Sequence, residues 1–164
     1  MQVNGWTLLF HGMAGRQLAS LADAVRRARQ SDPAGWRGNA NAKVLASLAK
    51  LMLETIPADP GAAAFRQGNT LGEEHRNWFR AKFNQRFRLF FRYDSRSRII
   101  VYAWVNDENT LRARGSRNDP YAVFRGMLEA GDPPDRWDAL LASAGGLPDE
   151  LAAVLDGLTH AERR

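Results

Sequence analysis

The chain has 164 residues, no cysteine and a formal net charge of +5, with 45% hydrophobic and 25% charged side chains. That length and balance describe one globular domain with a sizeable core, and exclude a disordered chain. Without cysteine there is no disulfide, thiolate nucleophile or thiolate metal site, and no apolar run approaches the roughly 20 residues that a membrane span needs.

Residues 3–10 (VNGWTLLF) are apolar and aromatic and predict an opening strand. From Arg16 to Gln30, Leu18, Leu21, Val25 and Ala28 recur at helical spacing. The turn SDPAGWRGN follows. A second helix runs from Ala40 to Thr55, burying Val44, Leu48, Leu51 and Met52, and Pro57 ends it. The two read as an antiparallel helical hairpin laid on a sheet. Residues 57–75 form a long loop rich in Pro, Gly and Ala.

The stretch Arg76–Arg98 (RNWFRAKFNQRFRLFFRYDSRSR) holds eight Lys or Arg against one acid, Asp94. It carries +7 while the rest of the chain sums to −2, so the positive charge is local. Odd positions read Phe79, Ala81, Phe83, Phe87, Leu89, Phe91, Tyr93; even positions read Arg80, Lys82, Arg86, Arg88, Arg92. A period of two means strands with one buried and one cationic face, here about 77–83 and 87–93. Keeping both odd sets on the core face asks for a three-residue loop, Asn84–Gln85–Arg86, with Lys82 opposite Arg88. Arg98–Val105 (RIIVYAWV) is apolar on both faces and predicts a central strand.

Asn106–Arg117 (NDENTLRARGSR) is polar and predicts a loop. The next helix takes Asp119 as N-cap and Pro120 as first residue and ends at Gly131, with Val123, Phe124, Met127 and Leu128 facing the core. DPPDRWDALL reads as a short docking segment. Residues 143–164 read as a tail with a short helix behind a glycine hinge, outside a domain of residues 1–142. The order β-α-α-β-β-β-α predicts an α+β fold with helices packed on one face of an antiparallel sheet.

Most enzyme templates fail on this chain. His11, His75 and His160 lie too far apart for a zinc motif, no glycine-rich phosphate loop follows a strand, and no GxSxG elbow occurs. Asn106, Asp107 and Glu108 come nearest to a metal cluster and read as a cap and turn, so no metal or cofactor is expected. What remains is phosphodiester chemistry run by cations. RNA brings its own nucleophile, the 2′-OH, so an enzyme need only align it and stabilise the charge of the pentacoordinate transition state.

Arg80, Lys82 and Arg88 share one strand face, with Arg112 and Tyr121 within reach from the following loop and helix. These are the candidate catalytic residues. The competing reading is a solvated or ion-paired basic face, and for Tyr121 a plain core tyrosine. Arg76, Trp78, Arg86 and Arg92 are candidates for holding RNA, Trp78 by stacking on a base; for Arg92, near a strand end, a structural arginine competes. Trp6, Trp36, Trp104 and Trp137 read as packing, as does His11.

VNGW, AFRQGNTLG, WFRAKF, RFRLFFRY, WVNDENTLR, DPYAVFRGML and GDPPDRW occur in order over about residues 3–140. Together they resemble the YhaV family of bacterial toxins, within the RelE-like superfamily of type II toxin–antitoxin systems. The resemblance implies a small RelE-like ribonuclease fold and metal-independent cleavage of mRNA, on the ribosome, through 2′-OH attack. It implies neutralisation by a PrlF-type antitoxin with an AbrB-like DNA-binding domain, with operator DNA met only through that complex. By motif it points to Arg80, Lys82, Arg88, Arg112 and Tyr121. Without a basic leader or membrane anchor in view, a cytoplasmic protein is expected. A non-catalytic RNA- or ribosome-binding module is the alternative.

Overall fold

The computed structural model describes residues 1–162. It is an α+β architecture around one mixed sheet. The strands β1 (Gln2–Val3), β2 (Trp6–His11), β3 (Phe79–Phe83), β4 (Phe87–Asp94) and β5 (Ile99–Val105) lie in the order β1-β2-β5-β4-β3, and β6 (Ala144–Gly145) pairs with β2. The helices are α1 (Gly12–Ser31), α2 (Ala40–Lys50), the turn α3 (Ile56–Ala58), α4 (Pro120–Glu129), α5 (Trp137–Ala142) and α6 (Asp149–Glu162).

The expected antiparallel sheet is corrected to a mixed one, because β2 and β5 run parallel, Leu8 beside Ile100 and Phe10 beside Tyr102. The reason is topological. The helical pair carries the chain from β2 to the far edge at β3, and the meander β3-β4-β5 returns it to lie beside β2. Parallel neighbours need such a long crossover, and the two helices supply it. The opening strand is also two strands. Asn4 and Gly5 both adopt positive φ, 52° and 80°, and Val3 pairs with Trp6 across them. This is the two-residue hairpin turn that Asn-Gly favours.

The basic hairpin follows its sequence period. Phe83 faces Phe87, Lys82 faces Arg88 and Ala81 faces Leu89 across Asn84–Gln85–Arg86. β5 is central, between β2 and β4. Its register against β4 shifts between Phe90 and Phe91: Trp104 opposes Phe90 and Tyr102 opposes Phe91, leaving Ala103 unopposed. That bulge sends Tyr102 and Trp104 to opposite faces, although residues two apart would otherwise share one.

Helices cover both faces, not one. On the first, α1, α2 and the turn that follows α2 pack Leu18, Leu45, Leu48 and Met52 on Phe10, Leu89, Phe91 and Tyr102, and Leu151 and Leu155 of α6 join the same core. On the second, α4 lays Tyr121, Phe124 and Leu128 over Phe90, Val101 and Trp104, with Trp78 and Leu140 beside them. Phe90 and Phe124 stack at 4.4 Å between centroids. The even face of β4 is thus cationic at Arg88 and closed at Phe90.

Two helix ends differ from expectation. α1 starts at Gly12, a turn before Arg16, because His11 caps it: Met13 N–H donates to His11 Nδ1 at 3.1 Å. Beyond Lys50 the second helix widens into a π turn over Leu51–Thr55 before Pro57. Ile56 N–H donates to Leu51, so the Met52 carbonyl would need the N–H that Pro57 lacks. The buried Tyr102 hydroxyl supplies the bond instead, donating to Met52 O at 2.7 Å. Burial pushes that phenol's pKa well above its ordinary value.

Candidate active site

Four of the five predicted catalytic side chains converge at the start of α4. Asp119 caps the helix, its side chain accepting from Tyr121 N–H at 3.1 Å, and Pro120 opens it. This geometry points the Tyr121 ring onto Phe90, edge to face at 5.6 Å, and its hydroxyl toward the hairpin. There it accepts from Arg80 Nε at 2.8 Å and from Arg88 Nε at 3.2 Å. The Arg112 guanidinium lies over the same ring, Cζ 4.6 Å from its centroid. Three guanidinium groups therefore surround one phenol.

Each cation is anchored separately. Arg80 Nη1 donates to Ala64 O at 2.8 Å. Arg88 is buried, with Nη1 donating to the carbonyls of Gln85 and Phe87. Arg112 Nη1 pairs with Asp119 Oδ1 at 2.7 Å. That oxygen also accepts from Ala113 N–H at 2.8 Å, so Asp119 fixes the loop, the cation and the helix start together. Bonds of this kind to ionised groups are stronger than neutral ones.

Asn106 does the same for the other side of the loop. Its Oδ1 accepts from Arg88 N–H at 2.6 Å, and its Nδ2 donates to Arg86 O and Thr110 O at 3.0 and 2.8 Å. Arg86 and Arg112 exchange further bonds, Arg112 N–H to Arg86 O and Arg86 Nε to Arg112 O, both 3.0 Å. The sequence reading missed the roles of both Asp119 and Asn106, seeing only a cap and a turn. A carboxylate or amide just after a strand or before a helix was the available signal; its burial was not. Asp107 closes a local turn onto Asn109 and Thr110. Among the described residues no group of three His, Asp or Glu could hold a metal ion.

Lys82 is exposed on the same strand face, directly across from Arg88, and so borders the cluster. Arg86 is exposed at the hairpin tip. Arg76 is exposed and held by Asn69 at 2.9 Å and Glu73 at 3.8 Å.

One expectation, Trp78 as a stacking platform, is corrected. Trp78 is fully buried, edge-on to Phe124 at 5.0 Å, with its indole N–H donating to Asp135 Oδ1 at 2.8 Å. No ring face is open to a base, because α4 and the Asp135 loop close over it. Arg92 is wedged between the rings of Trp78 and Trp137, at 5.8 and 5.6 Å, with Nη1 on the Asp135 carbonyl and Nε buried with no partner among the described residues. Burial lowers its pKa, and Asp135 opposes that shift. It fastens the Asp135 loop to the sheet, the structural role that competes with RNA contact for this half-buried side chain. His75 is buried in that assembly, its Nδ1 3.1 Å from Asp135 Oδ1.

This cationic site lies inside the segment that matches a known family. Residues 8–145 match the family described as a toxin with endonuclease activity, of a toxin–antitoxin system. The chain is 40% identical over 141 residues to the ribonuclease toxin YhaV of Escherichia coli strain K12, covering 85% of this chain and 92% of that one. The toxin YhaV proteins of Escherichia coli O6:H1 and O157:H7 match with the same identity and coverage. No solved structure matches the chain. Matched over most of its length and containing the whole cationic cluster, the chain belongs to the YhaV family of toxins with endonuclease activity.

Proposed function

We propose that this toxin cuts mRNA by attack of the 2′-OH on the adjacent phosphodiester, without metal, at the Arg80–Arg88–Arg112–Tyr121 cluster. One observation carries the reading: the Tyr121 oxygen accepts two guanidinium N–H bonds. A phenol that accepts twice turns its own proton away from both donors, toward whatever lies in front of it. In the reaction the O2′–P bond forms and the P–O5′ bond breaks. The O2′ proton passes to solvent water, the leaving 5′-oxygen takes the Tyr121 proton, and the phenolate is reprotonated from solvent, giving a 2′,3′-cyclic phosphate and a 5′-hydroxyl. Arg80, whose Nη2 has no hydrogen-bond partner among the described residues, and exposed Lys82 stabilise the charge that builds on the non-bridging oxygens. Arg88 and Arg112 hold the phenol in place and add to the field.

The K12 relative's name, a ribonuclease toxin, supports RNA as the substrate. The family's place in a toxin–antitoxin system implies an antitoxin partner, which we assign to the PrlF type with an AbrB-like DNA-binding domain that alone contacts operator DNA. The helical pair, the meander and the cationic sheet face support a RelE-like fold. No described helix is long and apolar enough to cross a membrane, and the proposed mRNA substrate supports a cytoplasmic location.

The test is mapping of 5′-hydroxyl RNA ends in cells after brief induction, wild type beside Arg80→Ala and Lys82→Ala. New mRNA ends in wild type and none in folded variants are expected, with codon-phased ends indicating cleavage on the ribosome. Growth arrest without new ends would leave an inhibitor that acts by binding alone.

A further inference from the structure

We propose that the cavity between the Arg112–Asp119 loop and the outer face of α4 is a subsite for one unpaired nucleobase beside the cut phosphodiester. The proposal rests on the ribonuclease reading above and deepens it. The cavity measures about 610 Å³, a size typical of small-ligand sites. Arg112 and Tyr121 are among its lining residues, so an occupant lies beside the residue whose phenol serves the leaving oxygen. An RNA strand whose phosphate lies before Tyr121 has a neighbouring base to place, and this is the adjoining space.

Its outer wall is suited to the strand's backbone. Arg117 is exposed and makes no ion pair among the described residues. Among the described residues Arg125 pairs only with Glu129, 3.2 Å away on an exposed helix face, an arrangement that a phosphate replaces at little cost. The cavity thus joins a protein wall at the reacting group to two arginines at its rim.

Gly126 gives an independent sign. It sits within α4, where glycine is the least favourable residue after proline. Its φ is not positive, and a Cβ built there would meet no atom within 4 Å. Neither backbone conformation nor packing calls for glycine at this position. What its missing side chain does is widen the cavity it lines.

A substitution that fills the cavity therefore separates stability from function. Gly126→Leu, Gly126→Ala, Arg117→Ala and Arg125→Ala are compared with wild type by thermal melting and by mapping of 5′-hydroxyl ends in cells. Gly126→Leu is expected to melt no lower than wild type, yet to cut at least tenfold less and with an altered nucleotide preference beside the cut. Gly126→Ala should shift in the same direction by a smaller amount, and it carries the comparison if the leucine variant does not fold. The arginine variants should lower cleavage without changing preference. Wild-type rate and preference in the folded glycine variants overturn the subsite. So does a uniform fall over all sequences, which leaves a backbone contact and no base pocket. Absence of ends from wild type removes the ribonuclease reading itself, and the subsite with it.

Discussion

Asp119 holds Arg112 at 2.7 Å, and this nearly buried ion pair sets the guanidinium over the face of Tyr121. The same carboxylate caps the helix that carries Tyr121. Catalytic geometry and helix start therefore depend on one side chain, and the two dependences separate by mutation.

Asp119→Ala removes the cap, the loop bond and the ion pair, and leaves Arg112 facing a partly buried site alone. A loss of about 3 kcal/mol in stability is expected from the broken pair and cap. Asp119→Asn keeps an acceptor for Tyr121 N–H, but loses the charge and turns an amide NH2 donor toward Arg112 and Ala113 N–H in place of the second oxygen. Its stability should fall by less, while the single-turnover rate drops and RNA affinity stays near wild type. Urea denaturation and single-turnover cleavage read the two effects. Equal rates for wild type and Asp119→Asn would show that Arg112 needs no carboxylate to act.

Tyr121→Phe keeps the packing on Phe90 and removes only the hydroxyl. Loss of a general acid lowers cleavage by roughly 100-fold or more. The cost in stability should be about 1 kcal/mol, since the buried Arg88 Nε loses its acceptor. Rapid-quench assays on a defined RNA, beside a melting curve, test both numbers. An active phenylalanine variant would move proton transfer to another group.

Arg92 offers the opposite case. Held between Trp78 and Trp137, it fills space and anchors the Asp135 loop. Arg92→Ala should lose about 2 kcal/mol through the emptied slot. Arg92→Met, which refills it, should recover most of that loss, and cleavage should stay within about threefold of wild type when normalised to folded protein. A folded methionine variant that binds RNA weakly would return Arg92 to the RNA-contacting set.

Stability should also depend on pH through His11. Its pKa is lowered, first by burial and then by Arg16, with Asp132 opposing at 3.3 Å. The folded state favours neutral imidazole, whose Nδ1 accepts from Met13. The contribution is fully present above the ordinary value of 6.5 and is lost as pH falls through the lowered value. Urea midpoints measured from pH 7.5 to 5 should therefore decline for wild type. His11→Asn, which keeps a capping acceptor, should flatten that part of the curve.

The alternation of residues 79–93 by itself determined the hairpin, its loop and the pairing of Lys82 with Arg88, because side chains in a strand change face at every residue. The apolar run of β5 likewise determined its central place, since a strand without a polar face has to be covered on both. Asn4–Gly5 carried a hairpin signal that an unbroken strand over 3–10 overlooked. The candidate cluster was legible as residue types: cations on one face, with an aromatic hydroxyl one element later.

Only the tertiary structure decided which part of that face is open. A period of two says which way a side chain points and nothing about what lies above it. Phe90 and Trp78 are closed over by α4, Arg92 is taken by Trp137 and the Asp135 loop, and Arg80 and Arg88 are left beside Tyr121. The parallel pairing of β2 with β5 and the burial of Asp119 and Asn106 have the same origin. They are set by contacts between segments about 80 to 100 residues apart or held across a loop, and no local pattern of a strand or cap encodes such a contact.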